Sequence, residues 1–153
     1  MGLFDIFKKK NKEDNLLLLE QQMDEKIFTI LQKYLPNNWQ EVIFFAGYYR
    51  EDSGYFKYWI KLDNGSYIDC FTLIPEPKQN EKDVLQEQFM QIHKEIRFVR
   101  EKLSGKQKWV ILTMSINNLG QMAKEYDYAD GVAKENLMQF VESYKNNLNK
   151  KYF

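Results

Sequence analysis

The chain has 153 residues, 44% of them hydrophobic and 16% aromatic, enough to build one core without a partner. Twenty-two Lys and Arg balance 22 Asp and Glu, so there is no cationic surplus of the kind that phosphate-backbone binders need. A single cysteine, Cys70, rules out an intramolecular disulfide and fits a reducing, cytoplasmic setting.

Residues 1–12, MGLFDIFKKKNK, read as a basic amphipathic or flexible N-terminal segment, set apart from a single α+β domain over 13–153. There is no long apolar stretch of the secretory type, and Ile6 breaks the myristoylation pattern. Leu3, Phe4, Ile6 and Phe7 followed by lysines resemble a small membrane-surface anchor, but so short a segment binds weakly alone; a flexible or loosely docked end is the preferred reading.

A first helix is expected over Glu13–Leu35, with Leu16, Leu19, Met23, Ile27, Ile30, Leu31 and Tyr34 at helical spacing and Pro36 as the stop. Three strands follow: Trp39–Arg50, Tyr55–Leu62 and Ser66–Leu73. They are joined by a Glu51–Gly54 turn and by Asp63–Asn64–Gly65, where Asn-Gly favours a tight hairpin. A second helix is expected over Glu81–Leu103. Leu85, Phe89, Ile92, Ile96, Val99 and Leu103 form one apolar stripe along it, and Ser104 and Gly105 supply the stop. Two more strands, Gln107–Ile116 and Gln121–Tyr128, flank an Asn117–Gly120 turn, and Asp130 can cap a third helix. The order α-β-β-β-α-β-β-α implies a five-stranded antiparallel sheet with helices packed mainly on one face.

The residues offer little for catalysis. His93 is the only histidine and sits at the edge of the second helix's stripe, where a structural role is expected. Cys70 reads as a buried thiol in the third strand. Phosphate-binding glycine loops are absent, and one Cys with one His makes neither a zinc site nor a conventional triad. Carboxylates cluster in Glu51–Asp52, in Asp63 and Asp69, and in Glu125–Asp127–Asp130, and such groups could hold a hard cation; the last lacks EF-hand spacing and the closing glutamate, and reads as solvated turn residues or a helix cap. No catalytic, metal or cofactor residue is assigned. Tyr48, Tyr49, Tyr55, Tyr58, Trp59 and Tyr67 cannot all share one sheet face. The readings that stay open for those on the outer side are an interaction surface, a second layer covered by the first or third helix, or cross-strand pairs that only stabilise the sheet.

Two blocks carry a resemblance. Residues 35–42, LPNNWQEV, lead into a Tyr-rich strand, an acidic Gly turn and a second aromatic strand. Residues 108–130 hold a Trp-led strand, a Gly turn and an aromatic-Asp-Tyr-x-Asp ending, with Trp109, Gly120, Tyr126, Asp127, Tyr128 and Asp130 at the matching places. Over about 16–145 the chain resembles the YezG family of bacterial immunity proteins, which includes EsaG-type antitoxins of secreted nucleases. The resemblance implies a non-enzymatic protein that binds and neutralises a polymorphic secreted toxin, a nuclease (DNase), inside the producing bacterium, with no direct nucleic-acid contact. It places toxin contacts at Asp127 and Tyr128. Turn position and charge add Glu51, Asp52, Asp63 and Asp130. The alternative is a membrane-surface adaptor or general interaction module using residues 1–12.

Overall fold

The computed structural model describes residues 3–50, 53–72, 81–104 and 108–128, with the isolated positions 139, 142 and 143. Helix α1 (Leu3–Gln32) leads into strands β1 (Trp39–Arg50), β2 (Ser53–Leu62) and β3 (Tyr67–Asp69). Helix α2 (Glu81–Arg100) and strands β4 (Ile111–Asn117) and β5 (Met122–Asp127) follow. The strands form one sheet in the order β3-β2-β1-β4-β5, and every neighbouring pair is antiparallel. The α+β architecture expected from the alternation of patterns is therefore present. The expected third helix falls outside the described residues, apart from those three positions.

Alternation along the strands sorts their side chains onto two faces. Val42, Phe44, Ala46 and Tyr48 of β1, Tyr58 and Ile60 of β2, and Leu112, Met114 and Ile116 of β4 meet the helices. From α1 come Met23, Ile27 and Leu31, and from α2 come Leu85, Ile92, Ile96 and Val99. Both helices thus cover the same face. They run antiparallel, because Gln88 Nε2 donates to the Ile30 carbonyl at 2.9 Å while Lys26 pairs with Glu95 at 3.3 Å. The fully buried Tyr58 gives its hydroxyl proton to Gln88 Oε1 at 2.8 Å, so a buried phenol and a buried amide satisfy each other.

Two of the boundaries that differ from expectation have a plain physical reason. Helix α1 starts at Leu3, not Glu13. A change of charge between residues 12 and 13 does not interrupt backbone hydrogen bonding, and residues 3–12 contain neither Gly nor Pro. Strand β3 stops at Asp69, because the Asp69 carboxylate accepts the Phe71 N–H at 3.0 Å and its carbonyl accepts the Thr72 hydroxyl at 2.7 Å. These bonds divert the chain into a 3₁₀ turn, Cys70–Thr72, so Cys70 lies in that turn and not in a strand. At the far hairpin Gly120 has φ of 80° and Gly65 in the β2–β3 turn has φ of 84°, the region where a side chain is strained.

The second face is also largely shielded. Ile43, Phe45, Trp59 and Ile111 are buried there, with Tyr49, Tyr55 and Tyr67 packed around them. Lys57 sits among them with its ammonium 3.1 Å from Asp69, 4.0 Å from Glu142 and 5.4 Å from the Trp59 ring centre. Glu142 therefore reaches this face. The outer aromatics are thus mostly covered: Trp59 is 2% exposed, and Tyr49, Tyr55 and Tyr67 are half-buried.

Candidate partner-binding surface

The two ends of the sheet are built differently. At one end Trp39 pairs with Leu62, and Asn118 N–H donates to the Gln40 carbonyl at 2.9 Å, so the β2–β3 and β4–β5 turns flank the start of β1. Asp63 belongs here. Its N–H donates to the Asn38 carbonyl at 3.0 Å, and Asn38 Nδ2 donates to its carboxylate at 3.1 Å. Leu119, 81% exposed, tops the neighbouring turn, which Asn117 holds by accepting the N–H groups of Leu119 and Gln121.

At the other end Gly47 pairs with Tyr55 on one side and with Ile111 on the other, and Ile111 pairs with Asp127. Asp127 and Tyr128 are both exposed here. From the level of Trp39 to that of Gly47 the strand climbs roughly 26 Å. The geometry thus separates Asp63 from Asp127 and Tyr128 rather than gathering them. Glu51, Asp52 and Asp130 lie outside the described residues.

The second sequence block divides into two parts. Trp109 stacks on Tyr126 with ring centres 5.3 Å apart, and Tyr48 meets Trp109 edge-on at 5.8 Å. Arg100 lies 4.5 Å from the Tyr48 ring centre and donates from Nε to the Trp109 carbonyl at 3.1 Å. His93 Nδ1 is 2.9 Å from the Tyr48 hydroxyl, and its ring packs against Phe56. Trp109, Tyr126 and His93 therefore hold α2 to the sheet. Asp127 and Tyr128 follow directly in the chain and are exposed, as are Asn118, Leu119, Gln121, Ala123 and Glu125 earlier in the same block.

Tyr126 also ties α1 to the edge strand. Its hydroxyl donates to Glu20, and Lys124 reaches Glu20 at 2.6 Å and Asp24 at 2.8 Å. Burial opposes ionisation of Glu20, but hydrogen bonds from Lys124 and Tyr126 outweigh it and hold that carboxyl below its usual range. For Asp24 burial wins over the lysine, and the carboxyl is pushed up. Periodicity could not reveal this cluster, because its members come from elements about a hundred residues apart. The only sequence signal is that Lys124 alternates with the partly buried Met122 and Tyr126 on the helix-facing side of β5.

Among the described residues no group of three or more His, Cys, Asp or Glu is placed to hold a metal ion. Cys70 is fully buried and burial pushes its thiol up to about 12, so it is a poor nucleophile. We expect no reaction with a thiol-specific disulfide reagent in the native protein near neutral pH, and one equivalent of labelling after denaturation. Rapid native labelling would contradict its placement.

Residues 20–150 match the model of the YezG-like immunity protein family. No curated protein matches the chain.

Proposed function

The chain belongs to the YezG-like immunity protein family, and from that premise we propose that it binds and neutralises a cognate polymorphic secreted toxin, a nuclease, in the cytoplasm of the producing bacterium. The observation that carries this reading is the family match over residues 20–150, most of the chain. It is supported by an exposed Asp127 and Tyr128 beside a rigid aromatic cluster. A nuclease presents cations to phosphates, so a carboxylate on a fixed frame can pair with that surface, and a half-exposed tyrosine can be buried against it. In this reading Glu51, Asp52 and Asp130 add charge to the same contact, and the protein works by occlusion without catalysing a reaction.

The test is co-expression with the toxin encoded beside it. Cells should die when the toxin is made alone and survive when both are made, and the two proteins should co-purify. Absence of both rescue and co-purification ends the reading. The reading also ranks the contacts. Asp127→Lys combined with Tyr128→Ala should weaken the complex by about thirtyfold or more, the scale of an interface hot spot. Asp63→Lys, at the opposite end of the sheet, should weaken it less. Titration calorimetry with the purified toxin domain measures both, and the reverse order would move the contact to the other end.

A further inference from the structure

Helix α1 is longer than the domain that it covers. The pairings of Ile30 with Gln88 and of Lys26 with Glu95 put the end of α2, Arg100, near the level of Glu20. On α1 the most N-terminal ties to the sheet among the described polar contacts are those of Glu20 and Asp24 to Lys124 and Tyr126. Phe28 packs on Trp39 at one end of the sheet, whereas Glu20 meets β5 towards the other, so α1 leaves the domain past the Asp127 end. From Leu18 back to Leu3 the helix axis continues for about 23 Å.

The base of this extension is apolar where water reaches it. Leu17 and Leu18 are 56% and 53% exposed, while Met23, Ile27 and Leu31, further along the helix, are buried. The core therefore does not use that side of the helix. In sequence, Leu3, Phe7, Lys10, Asp14 and Leu17 are spaced by four, three, four and three, a single helical row. Leu3, Phe4, Ile6 and Phe7 lie in the first turns, and Lys8, Lys9, Lys10 and Lys12 follow them. Apolar residues and clustered lysines on one helix match a surface that offers hydrocarbon and negative charge together. No helix among the described residues is long and apolar enough to cross a membrane, so contact by α1 would be at the surface.

We propose that the N-terminal extension of α1 docks the protein onto the surface of an anionic lipid bilayer. The lysines draw the helix to the headgroups, and the leucines and phenylalanines bury apolar area at the acyl boundary. Residues 1–12 alone give one short signal; Leu17 and Leu18, exposed further along the same helix beyond Lys10 and Asp14, add a second apolar contact to it. Contact is reversible, because a polybasic segment with a small apolar face falls well short of spanning. The inference rests on α1 and is independent of toxin binding.

The experiment is flotation of the purified full chain with vesicles of phosphatidylcholine mixed with phosphatidylglycerol, and with vesicles of phosphatidylcholine alone. Binding is expected on the anionic vesicles only and should weaken as salt is raised. Lys8→Gln, Lys9→Gln and Lys10→Gln together should reduce partitioning on the order of a hundredfold, since each lysine near such a surface contributes about fivefold. Leu17→Glu with Leu18→Glu should also reduce it, with the thermal transition of the domain retained. Failure to float, or flotation indifferent to lipid charge and to the lysines, overturns the proposal. So does a chain that stays off vesicles but sediments as a dimer that the leucine variant dissociates; the occupant would then be a second copy. Toxin neutralisation in solution, measured in parallel, stays at wild-type level in the lysine variant, so failure of one reading is distinguishable from failure of the other.

Discussion

Ile96→Asp is expected to abolish the cooperative thermal transition of the protein. Ile96 is fully buried at the centre of the α2 stripe, between Ile92 and Val99, against the helix-covered face of the sheet. Truncation to alanine at such a site costs about 2–5 kcal/mol through lost transfer energy and the cavity left behind. An aspartate adds the penalty of an ionised group with no cation among its apolar neighbours. Domains of this size are stable by only about 5–15 kcal/mol, so the two penalties together consume most of that margin. Circular dichroism on heating checks it, with Lys94→Asp, two residues away and exposed, as the control that should stay within about 0.5 kcal/mol of wild type. A sharp transition at an unchanged temperature would remove α2 from the core.

That prediction was open to sequence reasoning because helical spacing and burial coincide in α2. Leu85, Ile92, Ile96 and Val99 are buried as the stripe requires. The turns were equally open: Asn64–Gly65 and the Gly120 turn have a chemistry that only a few backbone conformations accept, and both glycines take the positive φ that this demands. Strand β1 begins and ends where its aromatic and β-branched run does, Trp39 to Arg50. What escaped was decided by side chains meeting across the fold. Asp69 ends β3 through its own hydrogen bonds, although Ser66–Leu73 has strand composition. The outward aromatics of β1 and β2 alternate as a surface pair would, yet Trp59 is only 2% exposed, because alternation identifies a second face without saying what lies on it.

The candidate contact residues show the same division. Asp63 and Asp127 are both acidic, both lie at the end of a strand and both are exposed. Strand register alone sets them at opposite ends of the sheet, and register is a property of pairing that no single residue carries. The resemblance placed Tyr126, Asp127 and Tyr128 in one motif. Packing separates them: Tyr126 is stacked on Trp109 and bonded to Glu20, while its two successors face water. Tyr126 thus belongs to the frame, whereas alternation along β5 turns Asp127 to the opposite face and Tyr128 follows the end of the strand.

The frame can be tested at Lys124, where Lys124→Met should destabilise the protein by about 2–3 kcal/mol. The group is half-buried, so its loss falls between the roughly 3–5 kcal/mol of fully buried ion pairs and the near-zero value of exposed ones. The wild-type cluster balances three charges. Glu20, with its carboxyl depressed, adds stability at neutral pH that is lost as pH falls through its folded value. Asp24, with its carboxyl raised, acts in the opposite direction: its protonation in acid favours the folded state. Lys124, held above its usual value by Asp24 and Glu20 against the opposing effect of burial, contributes up to alkaline pH and is lost beyond. Removing the lysine leaves two partly buried carboxylates facing one another, and both then prefer to be protonated in the folded state. The stability of Lys124→Met should therefore rise as pH is lowered from about 7 towards about 5, while wild type stays flat or declines. Asp24→Asn should be nearly neutral at about pH 7, whereas Glu20→Gln should destabilise, because only Glu20 is more favourable ionised in the folded state than in the unfolded one. Urea titrations at several pH values measure all three variants. Parallel profiles for wild type and Lys124→Met would show that the lysine does not hold α1 to β5.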